Sequence, residues 1–137
     1  MKTFVLLPFF LTVTAAFAAD PIKFISPDKN SALLVDKSGR RDLIELKSGK
    51  TVHRLFYEDL DALFKPKLAL AFDASLNKVG KIVLPTFISA RWISPEEVEV
   101  KGESGVTIND DDTEEFTFTA AVLRNGTVKD LVVAPKK

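Results

Sequence analysis

The chain has 137 residues, 19 acidic and 19 basic side chains, one histidine and no cysteine. Charge balance gives no electrostatic hold on nucleic acid or on an anionic membrane surface. The absence of cysteine excludes disulfides, and with a single histidine it removes the usual zinc ligand sets.

In chain order, Lys2, the apolar run FVLLPFFLTV and Ala16-Phe17-Ala18 follow the pattern of a secretory signal cleaved after Ala18. The run is short and broken by Pro8, which argues against a stable membrane span. Residues 1–18 are thus expected to be a cleaved signal peptide, and 19–137 a single exported domain, periplasmic or extracellular. About 119 residues suffice for one core without covalent staples.

Four short strands come next. IKF precedes Pro27; SALLVD, RDLIEL and TVHRLF follow, separated by Lys37-Ser38-Gly39-Arg40 and Ser48-Gly49. Apolar alternation between Gly-containing turns predicts an antiparallel meander over about 22–56. Residues 57–86 are read as an insert. In YEDLDALF, Leu60, Leu63 and Phe64 have helical spacing, with Glu58, Asp59 and Asp61 placed to favour a helix N-terminus. Pro66 is expected to end that helix. KLALAFD then alternates Leu68, Leu70 and Phe72, which predicts a strand paired with KIVLP across Asn77–Gly80.

A second meander is predicted over about 87–133. Its strands are FISARWI, EVEVKG with Val98 and Val100 on one face, EFTFTAAVL with Phe116, Phe118, Ala120 and Val122 on one face, and TVKDLVV. Gly102 and Gly105 are read as flanking a hairpin, and Asn125-Gly126 predicts a type I′ turn.

Both units contain one phrase: an aromatic residue, Ile-Ser-Pro and an acid, at Phe24–Asp28 and again at Trp92–Glu96. Each Pro is expected to begin a turn, with Ile25 and Ile93 pointing into apolar packing and the helix and hairpin of the insert lying outside both sheets. Ser26-Pro27-Asp28 with Ser48-Gly49-Lys50, and Trp92, Ser94 and Pro95, resemble the bacterial β-propeller blades that carry a Trp-Ser-Pro-Asp-Gly phrase. Lys29 and Glu97 stand where that family has Gly. The resemblance covers about half of the mature chain and implies four-stranded blades, with the phrase closing the innermost strand. Propellers close with about four to eight blades, and this chain has two candidates. The expected fold is therefore mainly β: antiparallel meanders in a compact sandwich-like or two-blade arrangement, with one short helix. Ring closure by self-association is the remaining route.

Candidate chemistry is sparse. His53 alternates with Val52 and Arg54 on a strand and reads as a surface side chain. No Ser stands in a Gly-x-Ser-x-Gly turn, and no glycine-rich phosphate loop is present. Asp110, Asp111, Asp112, Glu114 and Glu115 supply oxygen ligands. Counted from Asn109, however, the EF-hand positions for Gly and Glu hold Glu114 and Ala120, so a solvated acidic loop fits better. Asn125-Gly126-Thr127 is formally a glycosylation acceptor, relevant only in a eukaryotic secretory pathway. Trp92 reads as core, with a ligand-stacking platform as the alternative. No catalytic, cofactor-binding or metal residue is nominated, no cofactor is expected, and no binding residue is identifiable. The expected function is a non-catalytic, exported protein-binding or accessory module, with inhibition of an extracellular enzyme as one form. The alternative is a carbohydrate- or small-ligand-binding β domain.

Overall fold

The computed structural model describes residues 21–57 and 59–136, so the leader read at 1–18 lies outside the described residues. The fold is mainly β, with two antiparallel sheets and one α-helix. The first sheet is a meander of β1 (Ile22–Ile25), β2 (Ser31–Val35), β3 (Arg41–Glu45) and β4 (Thr51–Arg54), in that spatial order. The second is built on β7 (Glu97–Ile108), whose long edge pairs with β8 (Thr113–Leu123), and β8 pairs with β9 (Val128–Pro135). Along the other edge of β7, β6 (Thr86–Ser94) takes the first half and β5 (Val79–Ile82) the end. Neither sheet closes on itself.

Period-two patterning explains the larger sheet. Val98 faces Val122 and Val100 faces Ala120 across the β7–β8 ladder, and Phe116 and Phe118 continue that face. All six are buried. Leu33, Val35 and Leu43 of the first sheet join them in one apolar cluster. Direct cross-strand pairs of this kind are the unit of sheet stabilisation.

Segment 57–86 corrects three expectations. The helix α1 runs Leu60–Ala71, straight through Pro66, so KLALA is helical and the predicted hairpin with KIVLP does not form. Pro66 has no N–H for the carbonyl one turn back, a defect that costs a helix interior about 3 kcal/mol. Packing outweighs it: Phe64 and Leu68, four residues apart on one face, are fully buried, whereas Leu70 is 81% exposed. The period of 3.6, not 2, was the one in use. Nor is the helix peripheral, since Phe64 meets the rings of Phe56, Phe116 and Phe118 within 5.3–5.8 Å. Asp73, at φ +52°, ends the helix: its N–H reaches Leu70 O while the Ala74 N–H reaches Ala69 O, the paired bonds of a Schellman cap. After a short turn, β5 joins β7.

Two turns also differ from expectation. β7 is continuous through Gly102 and Gly105, which flank no hairpin. The two adjacent left-handed residues of a type I′ turn are Asn109 and Asp110, closed by Asp111 N–H to Ile108 O. At the β8–β9 turn only Gly126 has positive φ, and Asn125 Oδ1 accepts the Thr127 N–H.

Both copies of the repeated phrase end a strand and enter a turn, in the first connection of each meander. The turns themselves differ. After β1, Ser26 Oγ accepts the Ser31 N–H and donates to Asp28, and Lys29 takes φ +61°, a backbone state that Gly adopts freely. After β6, Pro95-Glu96 forms a two-residue turn, and Glu97 is already the first residue of β7. Ile25 and Ile93 do not point into apolar packing: both are exposed. Their neighbours Phe24 and Trp92 turn inward instead.

Candidate functional site

The strand parity of β3 places Arg41 on the same inward side as Leu43. Its side chain is 2% exposed. The guanidinium lies 5.7 Å from the centroid of the Phe56 ring, and Nη2 donates to Pro85 O at 2.8 Å. Nε has no hydrogen-bond partner, and among the described residues no carboxylate lies within ion-pair distance. A buried cation without a counter-charge is costly. Burial pulls this guanidinium down to about 10, with Tyr57 acting in the opposite direction. At neutral pH it remains a cation.

Several backbone constraints hold that arrangement. Phe56 has φ +69°, an uncommon and strained state for a bulky residue. That turn follows β4 directly and brings the Phe56 ring over Arg41 and against Phe64 and Phe118. Gly39, at φ +88°, lets the β2–β3 turn pass close to Pro85. Between Ser38, Gly39, Arg41, Tyr57, Leu84 and Pro85 lies a pocket of about 10 Å³, room for one water-sized group. Leu84, which lines this pocket, is 58% exposed, and its chain neighbour Val83 is 56% exposed; further along, in β6, Ile88 is 53% exposed. Tyr57 is also exposed.

A second region surrounds the β8–β9 turn. Clefts of about 400 Å³ and about 360 Å³ share Asn125: Asn30, Glu45, Lys47 and Arg124 line the first, His53, Asp59 and Thr127 the second. Both are open, and their lining is mixed, with Val52 in the first and Phe56, Leu63 and Val128 in the second. His53 is half-buried rather than free on the surface, because its imidazole packs against Gly126, where a Cβ would collide with it. Asp110–Glu115 form an exposed turn and strand start, and among the described residues no three metal-ligating groups converge. Trp92 is half-buried against the core, and its indole N–H donates to Phe24 O at 2.7 Å.

Arg41 and the Leu84 rim were not singled out in the sequence. The available signal was parity, since a strand reading RDLIE that buries Leu43 must also turn Arg41 inward. Comparison with protein families, with characterised proteins and with solved structures found no match.

Proposed function

We propose that this protein is an exported, non-catalytic module that binds a protein partner across the Val83–Ile88 surface. The observation that carries this reading is the exposure of three large apolar side chains, Val83, Leu84 and Ile88, within one short stretch of chain whose Leu84 lines the pocket of the buried Arg41. Exposed apolar groups that cluster favour a partner, while isolated ones need no explanation. A charged group at the margin of such a patch adds selectivity among partners. Export rests on the Lys2–Ala18 pattern, and mass spectrometry of the native product should find Ala19 or Asp20 at the N-terminus.

The test is capture from the periplasmic or extracellular fraction of the producing cells. One protein should be retained by the wild type and by a Val132→Lys control, which alters an exposed residue on β9. It should be lost with the Val83→Lys/Leu84→Lys/Ile88→Lys variant. Equal retention by that variant overturns the reading.

The two open clefts that share Asn125, lined by both polar and apolar side chains, favour a second reading, a carbohydrate- or small-ligand-binding domain. Trp92 supplies no stacking platform to it, because its indole N–H is bonded to Phe24 and its ring packs on the core. Retention on glycan beads, lost in Asn125→Ala, would support this reading over the first.

A further inference from the structure

We propose that the Arg41 pocket is a seat for a carboxylate group carried on the partner polypeptide. The proposal rests on the protein-binding reading and specifies the chemistry that the partner presents.

Three observations converge at this pocket. Arg41 is buried and hydrogen-bonds through Nη2 to Pro85 O, leaving Nε without an acceptor. No described acid pairs with it, whereas neighbouring Arg40 and Arg54 both flank Asp42. A guanidinium presents its donors in a planar fork that matches the two oxygens of a carboxylate. The available volume admits a single oxygen-sized group, so one carboxylate oxygen enters while the other stays at the mouth. A water molecule in the pocket leaves the guanidinium charge without a counter-ion among the described residues; a carboxylate supplies one.

The rim decides the source. Leu84 and Tyr57 border the opening, and Val83 adjoins it, so an acid flanked by apolar residues gains contact area that a free small anion lacks. Phe56 and Gly39, both in the lining, hold positive φ, so this part of the wall is shaped by the fold before any ligand arrives.

The experiment follows the Arg41 Nε–H resonance by proton–nitrogen correlation at constant ionic strength, during titration with acetate, acetamide and two capped peptides. The peptides are acetyl-Leu-Glu-Leu-amide and its Gln counterpart. The expected result is a saturable shift with acetate but not with acetamide or chloride, and binding of the Glu peptide at least tenfold tighter than acetate and than the Gln peptide. Arg41→Met should abolish the response. Should that variant fail to fold, Leu84→Glu, an exposed position, places a carboxylate at the mouth in cis and should suppress the peptide response tenfold or more. Equal response to acetate and acetamide, or none, overturns the seat and leaves a water site. Acetate binding without a peptide advantage overturns the polypeptide source. Loss of the seat while capture still depends on Val83, Leu84 and Ile88 separates this failure from failure of the binding reading. A carboxylate response with capture indifferent to those residues refutes the reading alone.

Discussion

Asp28 and Glu96, the acids that close the two copies of the repeated phrase, hold a single guanidinium between them. Arg124 Nη1 lies 3.0 Å from Asp28 Oδ2, and Arg124 Nε lies 3.1 Å from Glu96 Oε1. The Arg124 backbone N–H also donates to Glu96 O at 2.9 Å, which fixes the β8–β9 turn against both. The aromatic positions of the phrase meet in the same way, through the Trp92 indole and the Phe24 carbonyl. Residues far apart in sequence thereby close the seam where β1 lies beside β6.

This clasp should be acid-sensitive. The Ser26 hydroxyl, then the Asn30 backbone N–H, with Arg124 adding to them, hold the Asp28 carboxyl at about 2, against an ordinary 3.8. A depressed folded-state value means that the stabilisation is complete above the unfolded value and is lost as pH falls from 3.8 toward about 2. Wild type should therefore melt above Asp28→Asn at about pH 6, and the gap should vanish near pH 2. Thermal melts of both proteins across this range check it. A gap independent of pH would show that Asp28 acts through shape alone.

The strands were legible because their cues are local. Alternation marked Val98, Val100, Phe116, Phe118, Ala120 and Val122, and the structure buries every one of them. The helix extent was not legible: Leu68, Leu70 and Phe72 also alternate, and only the docking of Phe64 and Leu68 decides which period prevails. Turn identity failed similarly. Asn125-Gly126 has the stronger local preference for type I′, yet the β7–β8 register imposes that conformation on Asn109-Asp110. The site was the least readable part. Arg41, Phe56 and Leu84 belong to three separate segments, and no spacing rule in the sequence links a β3 arginine to the β5–β6 connection. The repeated phrase was legible as turn chemistry, and its meeting at Arg124 was not.

Trp92 offers a direct test of the seam. Its half-buried ring packs on the core and its N–H satisfies the Phe24 carbonyl. Trp92→Ala should destabilise the domain by about 2–4 kcal/mol, somewhat less than a fully buried aromatic. Trp92→Phe keeps most of the packing and should lose about 1 kcal/mol with the hydrogen bond. Chemical denaturation measures both. A loss under about 1 kcal/mol for Trp92→Ala would remove Trp92 from the stabilising core.

Pro66 predicts a gain. It is exposed in the middle of α1 and makes no contribution to the ladder of helix hydrogen bonds. Pro66→Ala restores an N–H without disturbing Phe64 or Leu68, and should stabilise the protein by about 1–3 kcal/mol. A raised denaturation midpoint with an unchanged denaturant slope is the expected observation. Destabilisation would mean that the backbone geometry Pro66 imposes is needed to dock Phe64 and Leu68 together.

Gly102 sits where the core leaves no room for a side chain. A Cβ built there meets Phe118 Cζ and Thr86 O, each at 2.5 Å, because Phe118 is its direct partner across the β7–β8 ladder and lays its ring over the position. Gly102→Ala must therefore push the ring off its seat and disturb its packing on Phe56 and Phe64, whose ring centroids lie 5.5 and 5.3 Å away. Overpacking of this kind should cost about 1–3 kcal/mol. Because the Phe118 ring is one of the two obstacles, the same substitution made in a Phe118→Leu background should cost less, giving a favourable coupling of about 1 kcal/mol in a double-mutant cycle. The Thr86 carbonyl is backbone and cannot retreat, so relief should be partial. Additive effects in that cycle would place the obstruction at Thr86 alone.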